Sequence, residues 1–126
     1  MADARSLVAA ATTAAQTAQW DDALALARAA IAVDAASPRA WALVGAALEA
    51  QGKLTDARRA LERAVSLDDR DLATAVACAR VQAKTGAVTA ARALLTYVLL
   101  RETGAPALRA EAYTLLHAID ESEARA

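Results

Sequence analysis

The chain has 126 residues and a formal net charge of −1, from 14 basic and 15 acidic side chains. Its length is that of one domain with its own core. Acidic and basic residues are interspersed, which argues against binding to nucleic acid or to an anionic membrane surface. The single Cys excludes an internal disulfide and is typical of a reducing, cytoplasmic compartment.

Alanine, the residue with the highest helix propensity, makes up about a third of the sequence. Apolar residues recur at helical spacing, and Gly, Pro and capping residues separate the periodic segments. The sequence therefore predicts an all-α protein. In chain order, the predicted helices cover residues 4–17, 21–33, 38–51, 56–67, 71–85, 89–102 and 106–120.

The uncharged stretch 6–20, SLVAAATTAAQTAQW, shares its lack of charge with signal peptides. Its apolar part is mostly Ala and Thr rather than Leu, and Asp3 accompanies Arg5 in front of it. The stretch is also shorter than the ~18 apolar residues that span a membrane. We therefore expect a structural helix here, without a cleaved leader or a membrane anchor.

The sequence repeats itself at an interval of 34 residues. Ala23, Ala57 and Ala91 recur at this spacing. The same offset relates Ala11, Gly45 and Ala79, then Ala30, Ala64 and Val98, and also Gly52 and Gly86. Agreement of several sets at one period predicts a repeat architecture more strongly than any single motif does. Each unit contains two predicted helices, and the seventh helix follows the third unit.

Local signals mark the helix ends within each unit. Ser37-Pro38 supplies an N-cap followed by Pro in the first turn. Gly52 and Gly86 stand where a left-handed residue would end a first helix. The side chains expected to cap the second helices are Asp21, Thr55 and Thr89.

Small residues occupy the positions where the two helices of a unit would face each other. Gly45 is expected to face Ala57, and Ala and Gly fill the equivalent positions of the other units. With no bulk between them, the helix axes can approach toward the short end of the usual ~8–10 Å range.

With these features the chain resembles the tetratricopeptide repeat family. The middle unit carries the resemblance best, through Trp41, Val44, Gly45, Leu48, Gly52, Ala57, Leu61 and Ala64. The resemblance covers essentially the whole chain. It implies one domain with repeats at 4–37, 38–71 and 72–105, a capping helix at 106–120 and a short disordered tail. It also implies a right-handed superhelical α-solenoid whose first helices line a concave groove.

The departures from the family pattern are informative as well. Cys78 and Gln82 stand at sites that are usually bulky and apolar. The Pro that commonly ends each second helix is replaced by Ala35, Asp69 and Thr103. The chain contains no Asn, so it cannot build the Lys–Asn clamp with which one subgroup holds the terminal carboxylate of heat-shock chaperones.

The family geometry implies that the concave groove binds a peptide or a helix of a partner protein. The residues expected to face it are Arg5, Val8, Thr12, Arg39, Ala42, Ala46, Glu49, Val76, Arg80, Lys84, Thr114 and His117. This set predicts a small apolar floor with mostly basic edges that could meet acidic groups of the partner. The alternative is that these charges are ordinary solvated side chains on helix surfaces.

The segment LLTYVLL, residues 94–100, is apolar nearly all round. One interpretation is that it packs under the last helix. The other is that Tyr97 and Leu100 form an outward patch for a homodimer or a second partner.

No constellation of residues predicts catalysis, a metal site or a cofactor. Cys78 lies among small residues and is expected to be a buried hydrophobe, and His117 is the only His. Phosphate-binding loops and nucleophile elbows are absent from the sequence. The chain is therefore expected to be a non-catalytic adaptor, monomeric or weakly dimeric. The alternatives are a small bacterial chaperone of the type III secretion kind, which has a similar architecture and length, and a self-assembling scaffold subunit.

Overall fold

The computed structural model describes residues 3–102 and 104–125, and in these ranges all regular structure is helical. Seven helices follow one another: α1 Ala4–Gln16, α2 Trp20–Val33, α3 Pro38–Ala50, α4 Leu54–Leu67, α5 Leu72–Lys84, α6 Val88–Arg101 and α7 Pro106–Arg125. None of these helices combines the length and the hydropathy needed to cross a membrane.

The last helix is longer than its sequence predicted. It was expected to end near residue 120 and to be followed by a short disordered tail, but α7 continues to Arg125. Side chains one turn apart support the extra turn, since Glu121 lies 3.1 Å from His117 Nε2 and 3.8 Å from Arg125 Nη2.

The first helices of the units begin at side-chain caps. Asp3 accepts a hydrogen bond from Ser6 N at 2.8 Å, and Asp71 accepts one from Thr74 N at 3.1 Å. Ser37 Oγ accepts from Ala40 N at 3.3 Å, and Pro38 occupies the first turn, as predicted. These side chains satisfy N–H groups that have no partner inside the helix.

The predicted caps of the second helices are wrong. Asp21, Thr55 and Thr89 lie inside the first turns of α2, α4 and α6, because these helices begin one or two residues earlier than predicted. No side chain caps the beginning of any of the three helices. The turn before each helix is closed by the backbone instead. Gln19 N donates to Ala14 O, and the equivalent Lys53 N and Ala87 N donate to Leu48 O and Gln82 O, at 2.8–2.9 Å.

These turns require a left-handed residue. Gly52 and Gly86 supply it with φ values of 78° and 88°, which confirms their predicted role. In the first unit the equivalent residue is Ala18, which adopts φ 58° in spite of its Cβ. The turn is therefore the same in all three units although the glycine is missing from one.

The helices form two layers that curve in one direction. In the inner layer α1 contacts α3, α3 contacts α5 and α5 contacts α7. In the outer layer, among the described residues, no α-carbons of α2 and α4, or of α4 and α6, come within 8 Å of each other. When the helices of one layer contact each other and those of the other layer stay apart, the stack bends toward the layer whose helices are in contact. The inner layer is therefore the concave one.

Two apolar clusters fill the space between the layers, and α5 contributes to both. Cys78 and Val81 belong to the cluster built mainly by α1–α4. Ala75, Val76 and Ala79 belong to the cluster that α5 forms with α6 and α7. Because α5 supplies side chains to both, it joins the two halves of the core.

The close helix approach predicted from the small residues is present. Ala11, Ala23, Ala57, Ala79 and Ala91 are fully buried. A Cβ on Gly45 would lie only 2.6 Å from Leu61 Cδ2 and 3.4 Å from the backbone oxygen of Ala57. The space that an alanine methyl group would need is thus already occupied by Leu61.

We predict that Gly45→Ala destabilises the fold. Overpacking against Leu61, itself only 2% exposed, costs about 1–3 kcal/mol. The higher helix propensity of Ala offsets no more than about 1 kcal/mol of that cost. Urea denaturation of the variant measures the net loss. Gly104→Ala is the matched control, because nothing lies within 4 Å of a Cβ at that position. Equal stability of Gly45→Ala and the wild type would contradict the role of Gly45 in helix spacing.

Candidate partner-binding groove

A depression of about 270 Å³ lies on the concave side, between α1, α3 and α5. We call it the inner groove. Its floor consists of small side chains, because Ala residues recur one turn apart on the facing helices. They are Ala42 and Ala46 of α3 and Ala73 and Ala77 of α5. Its polar lining consists of Arg39, Glu49, Asp71, Thr74 and Arg80.

The inner groove brings together five of the twelve predicted residues, namely Arg39, Ala42, Ala46, Glu49 and Arg80. Lys84 stands at its edge, with Nζ 3.6 Å from Glu49 Oε2. The three predicted residues of α1 do not line it. Arg5 is exposed, Val8 packs against the core, and Thr12 Oγ1 donates to Val8 O at 2.8 Å.

The prediction that Val76 faces the groove is wrong, because its side chain is only 1% exposed and cannot contact a partner. It lies in the core cluster that includes Ala112 and Ile119 of α7. The position equivalent to Ala42 is thus covered by the last helix. The residues of α5 that do line the groove are Ala73, Thr74, Ala77 and Arg80.

The two predicted residues of α7 are exposed but lie outside the groove lining. Thr114 Oγ1 donates to Ala110 O at 2.9 Å, and His117 Nε2 lies 3.1 Å from Glu121 Oε1. Both side chains are engaged with their own helix. The residue of α7 that reaches the groove is Glu111, which the sequence did not single out.

Arg80 links three inner helices through ion pairs. Its Nε and Nη2 donate to the two carboxylate oxygens of Glu49, each at 2.8 Å. Its Nη1 donates to Glu111 Oε1 at 2.8 Å. This bidentate arrangement is the strongest geometry for such a pair. The prediction of mostly basic edges is therefore wrong at Arg80 and Lys84, whose charges face carboxylates of the same chain.

The ion pair between Glu49 and Arg80 changes the pKa of both side chains. The hydrogen bonds from Arg80 lower the pKa of Glu49 below 4.5, although burial opposes this shift. The same hydrogen bonds to Glu49 raise the pKa of Arg80, again against burial. Both groups are charged at neutral pH, and they fix the end of the groove next to α7.

Trp20, Asp71, Ala73 and Ala77 line the groove but were not predicted from the sequence. The 34-residue repeat contained a signal for Ala73, because it relates this residue to the predicted Arg39. It also relates Ala77 to Leu43, which lines the groove but was not predicted either.

The segment at residues 94–100 is buried on one side, as the packing interpretation predicts, and exposed on the other, as the outward-patch interpretation predicts. Leu94, Leu95 and Leu99 pack in the apolar clusters, whereas Leu100 is 76% exposed. Tyr97 is half-buried and donates from Oη to Asp69 O at 3.1 Å, and the Arg101 guanidinium lies 4.0 Å from its ring centre. The outward part of the patch is therefore Leu100 alone.

The described residues contain no group of three or more His, Cys, Asp and Glu side chains that could hold a metal ion. Cys78 is 1% exposed, as predicted, and burial raises the pKa of its thiol to about 12. A thiol with this pKa is not a nucleophile at neutral pH.

No protein-family model matches the sequence, and a search of the curated proteins finds no match. Solved structures do match. SycD of Yersinia enterocolitica, a type III secretion chaperone in complex with a peptide of the translocator YopD, is 19% identical, with a TM-score of 0.82 over 94% of this chain and 93% of that chain. PcrH in complex with the chaperone-binding region of PopD is 20% identical, with a TM-score of 0.83 over 94% and 92%.

The tetratricopeptide repeat domain of Sgt2 from Aspergillus fumigatus is also similar. It is 17% identical, and its TM-score is 0.81 over 95% of this chain and 81% of that chain. The chain therefore has the tetratricopeptide repeat fold, an all-α helical solenoid, as its sequence predicted.

We predict that the Glu49–Arg80 pair makes stability depend on pH. Because folding lowers the pKa of Glu49, the pair stabilises the fold fully above about pH 4.5, the unfolded value, and this contribution disappears as pH falls through the lower folded value. Glu49→Gln should cost on the order of 1 kcal/mol at neutral pH, since the pair is partly exposed. Urea denaturation from neutral to acidic pH should show the two chains converging below about pH 4.5.

Glu121→Gln is the control, because its pairs with His117 and Arg125 are exposed pairs within one helix, which contribute only about 0.2–0.5 kcal/mol each. If the free energy of unfolding of the wild type exceeds that of Glu49→Gln by the same amount down to the lowest pH, the Glu49–Arg80 pair is not the source of the pH dependence.

Proposed function

We propose that the chain is a non-catalytic interaction module that binds a peptide or a helix of a partner protein in the inner groove. The observation that carries this proposal is the alanine floor formed by α1, α3 and α5. Ala15, Ala42, Ala46, Ala73 and Ala77 leave a depression on the concave face that no side chain of the described residues fills.

The charges around this floor support a partner with an acidic group. Arg39 is exposed and forms no ion pair with any residue that the structure describes. Arg80 and Lys84 differ from it, since both are held by Glu49. Arg39 is therefore the basic residue at the groove that is available to a carboxylate of the partner.

The structural neighbours support the same class of function. Two of them are complexes with segments of other proteins, a peptide of YopD and the chaperone-binding region of PopD. They are chaperones, and Sgt2 contributes a tetratricopeptide repeat domain. We therefore propose that this chain also acts by binding and carries out no reaction.

A second candidate is a chaperone of the type III secretion kind. Its support is that four of the similar structures are type III secretion proteins or complexes and that each of them covers 94–95% of this chain. Synthetic peptides of the PopD chaperone-binding region and of YopD test it by titration. Micromolar binding that Ala46→Arg removes would favour this function, whereas the absence of binding leaves only the general adaptor.

We also propose that the chain is a monomer or a weak homodimer. The exposed large apolar side chains among the described residues are Leu100, Val33 and Tyr113, which lie on three different helices, and three such residues provide little apolar area for a stable interface. Sedimentation equilibrium across a range of concentrations distinguishes this state from a self-assembling scaffold, which would grow with concentration.

We predict that blocking the inner groove weakens peptide binding. Peptides of about 16 residues, selected from a random library on the wild-type chain, serve as probes. Ala46→Arg introduces the side chain that the equivalent Arg80 already carries, so the helix tolerates it while the floor is filled. We expect Ala46→Arg and Arg39→Glu each to weaken binding by about tenfold or more, measured by fluorescence anisotropy.

Arg63→Glu is the matched control, since it makes the same charge change on an exposed position of outer helix α4. Peptides that bind both groove variants as tightly as the wild type would overturn the proposed site.

A further inference from the structure

The outer face carries two clefts that are equivalent by the 34-residue repeat. The first lies between α2 and α4 with α3 as its floor, and the second lies between α4 and α6 with α5 as its floor. They exist because the outer helices do not touch. Their volumes are similar, about 470 and 520 Å³. Any difference between them therefore lies in their chemistry.

The charged side chains of the two clefts have opposite net sign. Arg28, Arg59 and Arg63 line the first cleft together with one acidic residue, Asp56. The equivalents of the three Arg residues in the second cleft are Glu62, Ala93 and Tyr97, and Asp69 adds a second acidic residue. The lining of the second cleft contains no basic side chain. Neither Glu62 nor Asp69 forms an ion pair within the part of the chain that the structure describes.

The floor of the second cleft contains a polar residue where the first has an apolar one. Leu48 of the first cleft is replaced by Gln82, which is only 6% exposed. Gln82 Nε2 donates to Glu62 Oε2 at 3.0 Å, but Oε1 is buried and has no hydrogen-bond partner among the described residues. A buried acceptor without a partner destabilises a fold, so a donor from another molecule would relieve a real cost.

The walls of the second cleft are apolar and the cleft is open. Val65, Leu94 and Tyr97 form its sides, and the small exposed residues Ala90 and Ala93 leave its mouth uncovered. An open cleft surrounds one inserted side chain better than it encloses a free small molecule, which usually needs a deep pocket.

We infer that the second outer cleft is a second binding site, which takes a Trp or Tyr side chain that a partner protein presents beside a Lys or Arg. The aromatic ring packs between Val65, Leu94 and Tyr97, and its N–H or O–H group donates to Gln82 Oε1. The basic residue of the partner pairs with Glu62 and Asp69 at the rim. This site is on the opposite layer from the inner groove and does not depend on it.

The test is an NMR titration of the isotope-labelled 126-residue chain with synthetic peptides of about 12 residues. One peptide has a single Trp flanked by Lys, the second has Phe in place of Trp, and the third has Glu in place of Lys. We expect the Trp–Lys peptide to shift the amide signals of Glu62, Ala90 and Ala93. The Glu peptide should bind about tenfold more weakly or worse.

Three variants copy the first cleft into the second, so each introduces a side chain that the repeat already accommodates at the equivalent position. Ala93→Arg copies Arg59 and Glu62→Arg copies Arg28. Each of these variants should bind the Trp–Lys peptide about tenfold more weakly than the wild type does. Gln82→Leu copies Leu48 and should remove the preference for Trp over Phe while raising the melting temperature.

Arg39→Glu is the control, since it alters only the inner groove and should leave binding at the outer cleft unchanged. The inference is overturned if the Trp–Lys peptide binds Ala93→Arg and Glu62→Arg as tightly as the wild type, or if its shifts map to α1 and α3. That second outcome would place the peptide in the inner groove, so failure of this site is distinguishable from failure of the proposed function.

Discussion

The fold depends on how closely the two helices of each unit approach each other. In the middle unit the side chain of Leu61 occupies the place where a Cβ of residue 45 would be. In the first and third units Ala11 and Ala79 stand at the equivalent position and are fully buried. Since side-chain size at the contact sets the distance between helix axes, one small residue per unit fixes the shape of each helix pair. Repetition of that contact every 34 residues places a small buried residue at the same point of each pair.

The curvature and both surfaces follow from this packing. Paired helices stack so that the inner layer is continuous, whereas the outer helices stay separate from one another. The inner groove exists because its floor consists of alanines, which leave space above them and also permit the inner helices to touch. The outer clefts arise where α3 and α5 are visible between separated outer helices. One geometric constraint therefore produces a concave and a convex candidate surface, whose chemistry is set by the residues left free of packing.

The sequence predicted most of what is local, apart from the caps of the second helices, and missed what depends on the last helix. The helices, the turns at Gly52 and Gly86 and the small-residue contacts repeat with the sequence, so the period was sufficient to find them. The first unit closes its turn at Ala18 without glycine, because the backbone bond from Gln19 to Ala14 holds it. Val76 was misassigned because α7, which has no counterpart in the repeat, covers it. The partners of Arg80 were not predictable either, since Glu49 and Glu111 lie on different helices whose distance is set by packing.

The third unit departs from the other two mainly on α5, and the physical reason lies in the position of that helix. Ala75, Val76 and Ala79 fill one core cluster and Cys78 and Val81 fill the other, so packing restricts those positions to small or apolar side chains. Arg80 and Gln82 replace Ala46 and Leu48 of the middle unit and are polar, as are Thr74 and Lys84 of the same helix. Two residues along a helix turn by about 200°, which places the side chains of Arg80 and Gln82 on opposite sides of α5. Arg80 therefore faces the inner groove, where Glu49 and Glu111 pair with its charge, and Gln82 forms part of the floor of the outer cleft. A partner on either surface would contact the same helix, through side chains that point in opposite directions.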